Sequence, residues 1–134
     1  MTRYFLDTNI LLDFLGNRQP FGKYALEIFN KSRLKEWQLW TSDNSILTSY
    51  YIISKEIGEA ESRIKIGRLI NYLEIQPTQK AQILQALNSV FNDLEDAVQY
   101  FCASGIPKLE GIITRNKKDF KSSQIPVFEP WEVI

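Results

Sequence analysis

The chain has 134 residues, sixteen basic and sixteen acidic, with no histidine and a single cysteine. Its length suits one domain over residues 1–134, and the charge balance shows no overall pull toward nucleic acid or membranes, leaving only local patches. Without histidine the commonest general base and zinc ligand are missing, and a lone Cys102 forms no intrachain disulfide or thiolate cluster, so any catalysis rests on carboxylates, Lys/Arg, hydroxyls or a hard metal ion.

"RYFL", Arg3 to Leu6, is a short apolar run that predicts a buried strand. Asp7, Thr8 and Asn9 interrupt it before "NILLDFLG", whose apolar spacing predicts a helix ending at Gly16. A loop, "NRQP", leads to an amphipathic helix over Phe21–Leu34. "WQLWTS" alternates and predicts the second strand. A helix follows, capped by Asp43 or Asn44 and closed by Gly58, and then a partner helix over Glu59–Leu73. "EIQP" predicts a third strand ended by Pro77, with Thr78 capping the helix "QKAQILQALNSV". "NDLEDAVQYFCASG" predicts another helix, with Cys102 in its core-facing run. "GIITRN" predicts a buried strand, "KKDF" a turn or short helix, and "IPVFEP" a last strand.

Strands alternating with helices predict an α/β protein, a three-layer α/β/α sandwich around a mostly parallel sheet. In such sheets ligands bind beyond the carboxyl ends of the strands. The residues to inspect are therefore Asp7-Thr8-Asn9, Thr41 to Asn44, Pro77-Thr78 and Thr114-Arg115-Asn116. Asp7 interrupts any signal-peptide core, and no stretch approaches the roughly 20 apolar residues of a membrane span. The expectation is a cytoplasmic protein without membrane contact.

Asp7 has two readings: an N-cap of the following helix, or a metal ligand at a strand exit. "NDLEDAV" also has two. Asn92 or Asp93 caps a helix with Glu95 or Asp96 as the capping-box acid, or Asp93 and Asp96, three apart on one face, contribute to a site. Two carboxylates 4 Å apart repel by about 1 kcal/mol in water and roughly 4 kcal/mol at an effective dielectric of 20. A buried pair therefore calls for a cation, and oxygen-only ligands suit Mg²⁺ or Mn²⁺. Such an ion supports phosphodiester chemistry without histidine. The run after "GIIT" is either a solvated basic turn or a place where Arg115, Lys117, Lys118 and Lys121 meet a nucleic-acid backbone.

Four stretches, "FLDTNILLDFL", "EDAVQYFCA", "GIITRNKKDF" and "IPVFEP", resemble in order the PIN domain across essentially the whole chain. The resemblance implies an α/β/α sandwich with a parallel sheet and a Mg²⁺- or Mn²⁺-dependent ribonuclease acting on RNA. It also implies a possible VapC-like toxin held by an antitoxin protein, and a homodimer. It puts the family's first acid on Asp7 and its third on Asp96, as catalytic metal ligands. The second falls at about Thr48 and the fourth on Asn116, so neither is acidic here. Asn116 offers a neutral oxygen, and Asp93, Glu95 and Asp119 are the nearby acids able to substitute. Asp7, Asp96, Asn116 and Asp93 thus form the expected metal set. Thr8, Asn9, Thr114, Arg115, Lys117 and Lys118 form the expected nucleic-acid contacts. The competing expectation is a PIN-like module that binds RNA or a protein partner and cleaves nothing.

Overall fold

The computed structural model describes residues 1–134. Five strands form one sheet: β1 (Thr2–Leu6), β2 (Trp37–Ser42), β3 (Leu73–Gln76), β4 (Leu109–Ile113) and β5 (Val127–Phe128). Their order is β3-β2-β1-β4-β5, and every pairing is parallel. Seven helices connect or cover them: α1 (Thr8–Gly16), α2 (Gly22–Arg33), α3 (Asp43–Ile57), α4 (Glu59–Ile70), α5 (Lys80–Leu87), α6 (Leu94–Ser104) and α7 (Pro130–Val133).

Parallel strands covered on both faces read as continuous apolar runs rather than alternating ones, and neighbouring residues of β1 and β4 serve opposite cores. Leu6 and Ile113 join Leu39 and the apolar faces of α1 to α4 in one core. Phe5 and Ile112 join Tyr100, Cys102, Ala103 and Ile106 of the α6 side in the other. All four β1 and β4 residues are fully buried. The expected three-layer architecture is present. Cys102 is a buried core residue, as its apolar surroundings suggested. Gly111 allows β5 to close on β4: a Cβ there would lie 2.6 Å from the Phe128 ring, inside van der Waals contact.

Several boundaries differ from the sequence expectation, each for a local reason. The N-cap of α3 is Ser42, whose hydroxyl accepts from the Ser45 amide. Asp43 instead accepts from the Thr78 amide and hydroxyl, tying α3 to the chain before α5. With Thr78 so engaged, the N-cap of α5 is Gln79, in a reciprocal box with Gln82. The helix α4 stops at Ile70, since Leu73 is already paired with Leu39 in the sheet. The strand β4 ends at Ile113, so Thr114, Arg115 and Asn116 leave the sheet. The unexpected α7 starts at a proline in its first turn and is boxed by Glu129 and Glu132.

The strand order reverses at β1: one crossover leads to β2 and β3, the other to β4 and β5. The gap beyond β1 and β4 is the topological switch point, where open parallel sheets bind ligands. Asp7 and Thr114 are the first residues past those two strands.

Candidate active site at the switch point

Asp7 fulfils the first of its two readings, and its second oxygen faces the β4 exit. Its Oδ1 accepts from the Thr8 amide at 2.8 Å, making it the N-cap of α1. Its Oδ2 accepts from the Thr114 hydroxyl at 2.8 Å and from the Asn9 amide at 3.3 Å. The backbone amide of Asp7 donates to the Ile113 carbonyl, continuing the β1–β4 pairing. The carboxyl is 6% exposed. Burial raises its pKa, the bonds from Thr114 and Thr8 pull the other way, and the charges of Glu95 and Asp119 add to the rise.

Asp96 lies in the first turn of α6, whose N-cap is Asp93: the Asp93 Oδ1 accepts from the Asp96 amide at 2.9 Å. The Asp96 carboxyl is pushed up to about 7, first by partial burial and then by the charges of Asp7, Asp93, Asp119 and Glu95. The tertiary fold therefore brings Asp7 and Asp96 within electrostatic reach although 89 positions separate them in the chain. A carboxylate in a field of carboxylates keeps a proton or takes a cation. Asp119, in the 3-10 turn Lys117–Phe120, belongs to the same field, whereas Asn116 is exposed and uses its backbone amide to bond Thr114.

Beneath the two acids is a polar layer not anticipated from the sequence. Gln99, one helical turn beyond Asp96, is fully buried, as are Ser42 and Ser45, with Thr8 nearly so. The Ser42 hydroxyl donates to the Gln99 Oε1 at 2.5 Å. The Gln99 amide donates to Thr8 Oγ1 at 3.2 Å and also to Ser45 Oγ. Thr8 and Ser45 bond each other at 2.8 Å. One side chain thus ties α6, which carries Asp96, to the starts of α1 and α3. The available signal was a glutamine inside the apolar run "AVQYFCA", three residues from an acid.

The remaining expected residues separate into two groups. The hydroxyls of Thr8 and Thr114, expected at RNA, are buried and engaged within the protein. Asn9 links α1 to the β4 exit: its Nδ2 reaches Thr114 Oγ1 and its Oδ1 accepts from the Arg115 amide. Arg115, also expected at RNA, is turned to Asp13, with Nε 2.6 Å from Oδ2, and its guanidinium lies 4.1 Å from the Phe21 ring centroid. Asp13 is 1% exposed, so desolvating its carboxylate requires that partner. Lys117 pairs with Glu132 of α7 at 3.2 Å. Lys118 makes no ion pair and lines a cavity with Asp93, Asp96 and Asp119.

No three His, Cys, Asp or Glu side chains converge as a ready-made metal cage. The donor set, two carboxylates raised in proton affinity first by burial and then by neighbouring acids, with no histidine or thiolate beside them, fits a hard divalent ion that keeps part of its water shell.

The PIN domain family profile matches residues 3–118. Ribonuclease VapC1 of Aquifex aeolicus (strain VF5) is 33% identical over 132 residues, covering 93% of this chain and 88% of the relative. Among solved structures, a toxin-antitoxin complex from Klebsiella pneumoniae aligns with a TM-score of 0.64 at 27% identity, over 95% of this chain and 97% of the other. DNA-bound VapBC from Salmonella typhimurium aligns at 0.70 and 16% identity, over 97% and 99%.

Proposed function

The chain belongs to the PIN domain family, and on that premise we propose that it is a Mg²⁺- or Mn²⁺-dependent endoribonuclease, the toxin of a toxin–antitoxin pair. The observation that carries this reading is the pairing of Asp7 and Asp96 at the switch point, each raised in proton affinity partly by acidic neighbours. The relative named a ribonuclease and the neighbours named as VapBC and toxin-antitoxin complexes support the substrate and the antitoxin partner.

Asp7 and Asp96 would hold the cation, with Asp119 and Asp93 adding negative charge and Asn116 a neutral oxygen. When bound, the cation supplies activation of water and neutralisation of charge building on the phosphoryl group. The chain's own part is orientation. Thr114, Asn9 and the Thr8 amide fix both oxygens of Asp7. Gln99 fixes the helix that carries Asp96. Of the expected RNA contacts, Lys118 remains free for phosphate, while Arg115 acts through Asp13 and Asn9 on the wall of the site.

A second copy of the chain is the proposed partner for the exposed apolar side chains Leu47 and Tyr51 of α3, Ile83 and Leu87 of α5 and Leu94 of α6. Leu47, Ile83 and Leu94 line a common groove. No helix is long and apolar enough to cross a membrane.

The test uses purified protein stripped of metal, given Mn²⁺ or Mg²⁺ and mixed RNA, beside Asp7→Asn and Asp96→Asn. Metal-dependent cleavage reduced about a hundredfold or more in both is expected, by analogy with loss of one charge-stabilising group. Cleavage persisting in both variants overturns the assignment. The second reading, a PIN module that binds without cleaving, draws on the missing three-acid cage and the neutral residues Thr48 and Asn116. RNA binding without turnover would favour it.

A further inference from the structure

We propose that the cavity between the α5–α6 turn and the segment following β4 seats the nucleotide that flanks the scissile phosphate; this rests on the ribonuclease reading above. The cavity measures about 380 Å³, within the range of small-ligand clefts. Asp96 lines it, which connects it directly to the candidate cation site. Lys118 and Lys121, three residues apart, line it as well, together with the turn residues Val90, Phe91 and Asn92 and the acids Asp93 and Asp119.

Three features point to a nucleotide rather than to a plain solvent-filled cleft. The first is charge. The ion pairs of the protein engage Arg115 and Lys117 with Asp13 and Glu132 but leave out Lys118 and Lys121, although carboxylates line the same cavity. Two unpaired ammonium groups beside a candidate cation site can share one phosphate with the cation, each taking part of its charge. The second is an apolar floor. Val90 is 82% exposed at the rim. Phe91 is held in place by the rings of Tyr100 and Phe120, at centroid distances of 5.1 and 6.2 Å. A pinned aromatic next to an exposed aliphatic group offers an unpaired base a surface to stack on, the usual way single-stranded RNA is gripped. The third is Asn92, exposed just ahead of the α6 cap. Its amide carries a donor and an acceptor, enough to read one base edge.

The occupant is therefore one nucleotide of single-stranded RNA. Its phosphate lies between the Asp96 side and the two lysines, and its base lies over Val90 and Phe91 within reach of Asn92. Arg115 and Lys117, already paired, take no part.

Cleavage kinetics in Mn²⁺ on short RNAs of varied sequence test this, comparing wild type with Lys121→Ala, Asn92→Ala and, as a control on the distant α2, Lys23→Ala. Lys121→Ala should raise KM about tenfold on every sequence, equivalent to about 1.4 kcal/mol. It should also lower the slope of log affinity against log salt by about 0.7, with kcat unchanged. Asn92→Ala should change the ratio of kcat/KM between bases without that salt effect. Lys23→Ala should match wild type. Wild-type cleavage with Lys121→Ala and Asn92→Ala both indistinguishable from wild type overturns the cavity and leaves the ribonuclease reading intact. If wild type cleaves nothing, titration of ¹⁵N-labelled protein with 5′-AMP and 5′-UMP in Mn²⁺ separates the two readings. Amide shifts at residues 90–92 and Lys121 would uphold the cavity while the ribonuclease reading fails. Their absence would remove both.

Discussion

Replacing Asp96 by Asn should stabilise the metal-free protein at neutral and alkaline pH while removing its activity. The Asp96 carboxyl rises from an ordinary 3.8 to about 7, first because of partial burial and then because Asp7, Asp93, Asp119 and Glu95 surround it with like charge. The folded chain thus holds this proton more tightly than the unfolded chain does. Between those two values the unfolded state has released the proton and the folded state has not, so folding stability falls as pH rises from about 4 to about 7 and is flat above. A rise of about three pH units has a ceiling of about 4 kcal/mol. Asp96 is only about half buried, so solvent screening reduces this to about 1–2 kcal/mol. In a chain of this size that corresponds to about 3–8 °C in Tm. The Asp96 carboxyl accepts no hydrogen bond within the protein, since its contact with Asp93 runs through the backbone amide; asparagine forfeits none. Thermal melts followed by circular dichroism in EDTA, from pH 5 to pH 8, read this out directly. Asp96→Asn should melt above wild type at pH 8, and the gap should shrink to less than half at pH 5. Mn²⁺ should close the gap from the wild-type side, since a ligand at a hundred times its Kd adds about 2.7 kcal/mol. A gap that does not change with pH, or a wild type more stable than Asp96→Asn at pH 8 without metal, would refute the argument from crowded charge.

Gln99→Leu removes the partner of three buried hydroxyls; at about 1–3 kcal/mol for each polar group stranded, urea denaturation should show a loss of at least about 2 kcal/mol, and a change under 0.5 would contradict the hub. Arg115→Ala leaves the Asp13 carboxylate buried and unpaired, which should cost about 3 kcal/mol or more, whereas the double replacement Asp13→Leu with Arg115→Met should recover most of it in the same assay. Leu87→Glu on the exposed apolar face of α5 should convert a dimer to a monomer in analytical ultracentrifugation, with Tm falling only by the lost subunit coupling. An unchanged sedimentation coefficient for a dimeric protein would move the interface elsewhere. Phe5→Ala, by contrast, opens the core beneath β1 and should cost about 3–5 kcal/mol.

The strands, the helices up to β5 and the candidate acids Asp7 and Asp96 at element ends were legible because they rest on local signals. Apolar runs marked β1 and β4, amphipathic spacing marked the helices, and polar residues interrupted the chain where strands ended. The four stretches that resemble the PIN domain extended this to the family. Cap identity was legible only in part. Asp7 and Asp93 do cap their helices, yet Asp43 and Thr78 spend their side chains on each other, a pairing across 35 positions that neither neighbourhood announces.

What the sequence by itself determined is the set of charges and the periodicities: a histidine-free chain with acids at strand and helix ends, and a parallel sheet whose ends must carry any site. What only the tertiary structure decided is how those charges are partnered. Arg115 and Lys118 look alike in a basic run, but one is spent on the buried Asp13 and the other is left facing the cavity. Gln99 looks like a surface residue that strayed into an apolar helix, but it is the hub between the segments holding Asp7 and Asp96. The physical reason is the same in both cases. Propensity and periodicity act over a few residues, whereas hydrogen bonds and ion pairs depend on distances of about 3 Å between segments that only the sheet brings together.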